Sequence, residues 1–587
     1  MNFTTRFLFL TALTALVAAP GCTSKSKNDL PNTLHLFAIE KIKGLDPILA
    51  EDQYAGDEVG RVYDTLLQYS YLKRPFQLEP SLAEAMPTIS ADGLTYTIKI
   101  KKGVVFQDDP CFKATNGKGR EMVAEDLIYS FKRVADPKLN SPGFWIFDGK
   151  ILGLNEWREA AIKAGTTDYS SPVAGLAALD HYTLVMKLTS RSAQMLNYLA
   201  MPFASAVPKE AVDTYDKDFI GHPVGTGPFK LVEYNPASKV VWAKNPTYRP
   251  DFYPTEGEPA DKAAGLLADA GKPLPLAERV VVDIYIETQP QWLNFLAGKL
   301  DYTVIPKDNF GQATVSKTEL TPELKAKGLA LDIVTAQEVT HETFNMLDPV
   351  VGKNKLLRQA LSLAIDQEKF NELFYNGRAI AAQTPIPPGL GGYDPNYKNP
   401  YRQFNLEKAK ELLAKAGFPG GQGLAPIDVI SPASSLDRQI NEFYEKSFAA
   451  IGVKMKVDSY TWPEFLASIK NHKGQMWGWA WLADYPDAEN FLQQFYSKNV
   501  SPGPNDANYI NPEFDKLYEK SLTLADSPAR SAIYKEMAMM VVEDAPWIYS
   551  AHRLTYHLRQ PWLKNYKINE YDHGRSKYYR IDETLKK

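Results

Sequence analysis

The chain has only two cysteines in 587 residues, which in a secreted chain could pair with each other but cannot make a thiolate zinc site. Its eight histidines form no His-Glu-x-x-His pair. His552 and His557, close in sequence, would face opposite sides of a single strand. A Gly-Lys-Ser/Thr phosphate loop and a Gly-x-Ser-x-Gly elbow are both absent. The glycines of 417–423 lack the strand-to-helix setting of a dinucleotide site and read as a helix stop followed by a loop. Excess charge is scarce too: 66 Lys+Arg against 70 Asp+Glu leave −4, which points away from nucleic acid or an anionic membrane as the main partner. No repeat of roughly 20–50 residues is visible, which argues against a solenoid or propeller. These absences leave no catalytic residue, metal ligand or cofactor to assign, and nothing favours an enzyme. The length allows about three to five structural units. Aromatics are plentiful at 12%; most belong in cores, and some are available to line a binding site.

The chain begins with an address. Arg6 is the only charge in the first 24 residues, and the apolar run Phe7 to Ala19 leads to Pro20, Gly21 and Cys22. A basic start, a 13-residue apolar stretch and small residues at a cut read as a secretion signal over residues 1–21. The run falls short of the roughly 20 residues a bilayer span needs. Small residues before Cys22 resemble a bacterial lipobox, although the Leu usual three positions before the cysteine is missing. The resemblance implies lipidation at Cys22 and a tether over 22–29, which leaves Cys111 as a lone thiol.

Beyond the tether, strands and helices alternate. Leu34–Ile39, Leu94–Ile100, His181–Leu188 and Val280–Ile286 read as strands, the second and third by strict apolar–polar alternation. Apolar spacing of three and four predicts helices over 124–131, 289–299 and 356–374, the last ended by Asn376-Gly377. Asn405 caps a helix over 406–416. Residues 253–276 read as a surface excursion with a short helix over 259–270. The fold class is mixed α/β in several lobes.

Four blocks, in order, resemble one family. Asp92 to Ile98 leads into Gly103 to Asp108 and then Ala124 to Arg133. Gly225-Thr226-Gly227-Pro228-Phe229 with Lys244 to Tyr248 forms a second block. Arg358 to Asp366 forms a third, and Trp481-Leu482-Ala483-Asp484-Tyr485-Pro486-Asp487 a fourth. They cover nearly all of the mature chain and resemble the bacterial extracytoplasmic solute-binding proteins of family 5, the oligopeptide- and dipeptide-binding proteins of ABC importers. The resemblance implies a type II periplasmic-binding-protein-like fold, two lobes closing on a ligand, with an extra accessory domain. Residues 30–62, 210–304 and 554–587 would form lobe I, 63–209 the accessory domain and 305–553 the opposing lobe. The chain would cross between lobes near Val304 and near Arg553. An insertion between Asp109 and Met122, carrying Cys111, departs from the pattern and would alter the lip of the accessory domain.

A binder of many peptides must recognise what all peptides share, the backbone and the charged ends. By resemblance, Asp484 takes the ligand ammonium, Trp481 and Trp462 wall its side-chain pockets, and Tyr485 belongs to the same motif. Glu51, Asp52, Gln53 and Tyr54 align with a segment bordering the peptide backbone. Relatives that hold long peptides place basic side chains near the peptide's C-terminus; the matching positions here are Leu436, Ile469 and Gly478, with Lys470 adjacent. The expected partners are a peptide, an ABC permease with its ATPase, and the membrane through lipid, for a monomeric protein at the periplasm or cell surface. Alternatives are the same scaffold holding a nickel chelate, haem, a sugar or a cell-wall fragment, a secreted hydrolase, or a ligand-sensing receptor.

Overall fold

The computed structural model describes residues 30–524, 526–569 and 571–586; the signal, Cys22 and the tether lie outside the described residues. Thr33–Ala38 is a strand that buries Leu34, Leu36 and Ala38 and pairs in parallel with Arg279–Ile284. Lys239–Lys244 and Phe229–Asn235 extend that sheet to four strands.

The two alternating segments of the expected accessory domain pair with one another. Thr95–Lys99 lies antiparallel to Thr183–Lys187, setting Tyr96 opposite Met186 and Ile98 opposite Leu184, all four buried. Period-two patterning puts those four on one face, and the helix Ala124–Ala135 packs Leu127 and Phe131 into the same core. The 109–122 insertion packs against residues 210–222, with Arg120 Nε donating to Glu210 Oε1 at 2.6 Å. Cys111 is buried there as a free thiol, its backbone N–H donating to Asp109, whose carboxylate also accepts from Tyr215 at 2.6 Å.

The largest sheet has six strands, in the order Ile380–Ala381, Trp547–His552, Glu338–Phe344, Met476–Leu482, Ile427–Pro432 and Met455–Tyr460. A three-stranded sheet joins it to the rest, with Leu554–Arg559 between Tyr302–Val304 and Ala330–Thr335. This pairing moves the first expected crossing. Residues 305–335 pack with Trp292, Phe295 and Tyr556 instead of opening the opposing lobe at Val304. The chain passes from the three-stranded to the six-stranded sheet at 336–337 and returns at Arg553. The two crossings touch: Ala336 N–H donates to the Arg553 carbonyl at 3.0 Å, and Arg553 N–H to Glu338 Oε1 at 3.0 Å.

Three local expectations need correction. The helix expected over 356–374 is two, Lys355–Leu363 and Gln367–Tyr375, because the Asp366 carboxylate caps a new helix by accepting from Lys369 N–H at 2.9 Å. In 253–276 the helix covers only Pro259–Ala263, and the segment is anchored: buried Asp269 accepts from Arg580 and Asn565, each at 2.8 Å. His552 and His557 lie on separate strands of separate sheets, so they share no strand.

Candidate functional site

A cavity of about 370 Å³ is lined by Glu51 to Tyr54, by Pro142, Trp145 and Phe203, and by the run Gly478 to Asp484. A consecutive run from a strand, both faces included, lines a cavity only if the cavity runs along the strand's edge. That edge is open. Met476–Leu482 pairs along its length with Glu338–Phe344, but on its other side only Met476 meets a strand partner, Val429. Backbone N–H and C=O groups beyond Met476 are left facing the cavity, a template for one more extended chain.

Asp484 stands at the end of this edge. Its Oδ2 accepts from Asn490 Nδ2 at 2.8 Å, and its own N–H donates to Asn490 Oδ1 at 3.0 Å. The same Oδ1 accepts the Trp481 indole N–H at 2.9 Å, so one buried asparagine orients both residues. Among the described residues no Lys or Arg pairs with Asp484. Burial pushes its pKa up to about 6, against the pull of the Asn490 hydrogen bond and of His573.

The facing wall is the start of helix Gln53–Val62. Asp52 is its N-cap, accepting from Tyr54 and Ala55 N–H at 2.9 and 3.0 Å. Gly56 and Gly60 let the 573–574 backbone lie against this helix; a Cβ on Gly56 would come within 2.8 Å of the His573 ring. His573 and Tyr571 thereby reach the cavity wall. Burial, reinforced by Glu51, raises Asp52 to about 6 despite its cap bonds. Trp462 lies across from it, edge-on to Tyr54 at 6.4 Å between ring centroids. The Trp462 indole N–H favours the ionised form of Asp52, but less than burial disfavours it. Glu51 behaves differently. Lys43, then Lys470 at 3.7 Å, outweigh burial and hold it below the usual carboxylate range.

The structure thus brings Asp484, Trp481, Trp462, Glu51, Asp52, Gln53 and Tyr54 to one cavity. Tyr485 is not with them. It is fully buried, donating to Glu489 Oε2 at 2.6 Å with its ring edge-on to Tyr198. Adjacent residues leave an extended chain in opposite directions, so Asp484 takes the cavity side and Tyr485 the core. Leu436, Gly478 and Lys470 line the cavity, while Ile469 is buried beneath Phe465 and Trp477. None of 109–122 reaches it.

Sequence reasoning missed Glu40, Glu342, Asp437 and Arg553 on the wall, and Asn490 behind it. The cavity is acidic. Its two cations are already committed, Lys470 to Asp506 at 2.8 Å and Arg553 to Glu338 at 2.6 Å. Glu40, Asp52, Glu342, Asp437 and Asp484 form no ion pair with a Lys or Arg among the described residues, although Lys41, Lys43 and His573 lie near enough to favour the charged forms of Glu40, Asp52 and Asp484. No described helix is long and apolar enough to cross a membrane.

Comparison with known proteins follows the same lines. Residues 77–503 match the bacterial extracellular solute-binding proteins, family 5, middle part. Heme-binding protein A of Haemophilus influenzae is 26% identical over 554 residues, spanning 92% of this chain and 91% of its own. The dipeptide-binding protein of Escherichia coli is 26% identical over 503 residues, 84% of each. Among solved structures, the ABC transporter-associated periplasmic binding protein DppA from Helicobacter pylori, in complex with peptide STSA, superposes with a TM-score of 0.75 at 25% identity, covering 94% of this chain and 98% of that one. The murein tripeptide binding protein MppA of Escherichia coli superposes at 0.76 with 21% identity, covering 94% and 98%. The fold is that of the type II periplasmic binding proteins. That fold, and a family match over most of the sequence, place this chain among the bacterial extracellular solute-binding proteins, family 5.

Proposed function

We propose that this protein captures short peptides between its lobes and hands them to an ABC importer. The observation that carries this reading is Asp484: a half-buried carboxylate with no Lys or Arg partner among the described residues, at the end of an open strand edge. An α-ammonium would supply the missing charge, and the peptide backbone the missing strand partner. Trp481 and Trp462 offer flat walls to varied side chains, and Glu51 to Tyr54 border the opposite side. Relatives named for dipeptides, and a solved relative holding a peptide, support the same ligand class. Haem brings propionates but no ammonium, leaving the Asp484 charge unmatched, so peptide is the better fit.

Lobe I with the accessory body and the opposing lobe would close about the paired crossings at 336–337 and Arg553, with no catalytic step. The secretion signal and lipidation at Cys22 would hold the protein beside its permease; Cys22→Ser should abolish metabolic lipid labelling. Native mass spectrometry of protein purified from its host tests the ligand class. Peptide masses released on denaturation are the expected result, and a single non-peptide mass would replace this reading.

A further inference from the structure

Glu342 sits in the strand Glu338–Phe344, 8% exposed, with its carboxyl facing the cavity. It makes no ion pair among the described residues, and the buried Tyr444 hydroxyl is its polar neighbour. Room for the carboxyl comes from its register partner Gly478: a Cβ there would lie 2.5 Å from Glu342 Oε1. Asp437 lines the cavity from the helix Ser435–Ala449, with Ile440 one turn further on the same face. Phe370, Phe374 and Tyr375 complete the wall; the Phe370 ring lies 4.7 Å from Phe374 and 5.7 Å from Tyr375. The nearby Lys307 is held by Asp308 at 2.9 Å and Gln439 at 3.0 Å. These carboxyls do not converge as metal ligands do; no described group of acids, His or Cys forms such a cluster.

An acid buried without a cationic partner, beside aromatic and aliphatic walls, fits an organic cation on an apolar stem. We infer that Glu342 and Asp437 form a second cation subsite that takes a lysine- or arginine-type side chain of the bound peptide, its stem lying along Phe370, Phe374 and Tyr375. This rests on the reading of the cavity as a peptide site and specifies its preferred substrates as basic peptides. Burial, and after it the Asp437 charge, raises Glu342 to about 8, while Tyr444 pulls the other way. At pH 7 the empty subsite is therefore mostly protonated, and a cation entering it expels that proton to solvent.

The test is calorimetry with Ala-Lys-Ala and Ala-Ala-Lys against the same tripeptides carrying norleucine, which keeps the stem and drops the charge. The native protein should prefer at least one lysyl peptide by roughly tenfold or more, and release about one proton more with it, read from buffers of different ionisation enthalpy. Glu342→Gln should cut that preference below about threefold and abolish the extra proton release, with circular dichroism confirming the fold. Gly478→Ala, which crowds the carboxyl, should cut it as well. Equal binding of lysyl and norleucyl peptides by the native protein, or a preference untouched by Glu342→Gln, overturns the subsite. Cadaverine separates this from the wider reading. If no peptide binds but cadaverine raises the melting temperature of the native protein and not of Glu342→Gln, the peptide reading falls and the subsite stands. If no peptide binds and cadaverine shifts both proteins equally or neither, the subsite falls with it.

Discussion

Asn490 grips Asp484 at two points, donating to its carboxylate at 2.8 Å and accepting its backbone N–H at 3.0 Å. Because the same asparagine accepts the Trp481 indole, its amide orientation is fixed from both sides. The proposed anchor is thus aimed before any ligand arrives, which lowers the ordering cost of binding.

Asn490→Ala should therefore weaken peptide binding although Asn490 is not on the cavity wall. Losing a hydrogen bond to a charged group predicts a cost of about 1.5–3 kcal/mol, or roughly 10- to 150-fold in the dissociation constant. Calorimetry with a neutral tripeptide measures it. The Asp484 pKa should rise above its present value of about 6, since the bond that lowers it is gone.

Binding should also depend on pH in a defined direction. An ammonium needs Asp484 ionised, and burial has raised that group to about 6, with Asp52 across the cavity raised to about 6 as well. For a tripeptide without ionisable side chains, affinity should rise about twofold from pH 8 to 7 as its α-amino group, of pKa about 7.7–8.0, becomes protonated. It should fall below pH 6, by about tenfold per pH unit for each group that must ionise. An affinity flat down to pH 4.5 would speak against both carboxylates.

The crossings between lobes make a third prediction. Arg553 is bound through its guanidinium and backbone to Glu338, whose carboxylate is buried. Arg553→Ala leaves that carboxylate with the backbone N–H of residue 553 and a 3.3 Å bond from Thr340. The expected cost is about 1–3 kcal/mol, moderated because the arginine side chain is 42% exposed. Urea denaturation measures the stability. Small-angle scattering should show a smaller radius of gyration for the native protein with peptide, and a reduced contraction in the variant.

Much of this molecule was legible because local pattern and tertiary role agreed. The alternation in 95–99 and 183–187 is what two strands sharing a buried face require, and they pair as that pattern implies. The long periodicity of 356–374 hid a break, since the Asp366 cap competes with helix continuation through one side-chain bond. The crossing near Val304 was misplaced because strand pairing between 330–335 and 554–559 leaves no local trace. Asp484, Trp481 and Trp462 could be named from a resembling motif; Tyr485 beside them could not be sorted from it, since one residue of register decides cavity or core. Glu342 and Asp437 lie 95 residues apart in sequence and meet only through the fold.

The most direct test of the central claim is a calorimetric cycle: native and Asp484→Ala proteins, each with a free and an N-acetylated tripeptide, circular dichroism confirming both folds. Leaving an enclosed ammonium unpaired costs about 2–5 kcal/mol, so Asp484→Ala should weaken the free peptide by roughly 30- to several-thousand-fold. Acetylation should weaken binding to the native protein comparably, and the two losses together should scarcely exceed either alone. If the losses simply add, Asp484 does not hold the ammonium. If neither change weakens binding, the ligand is not held by a free amino terminus and the peptide reading is contradicted.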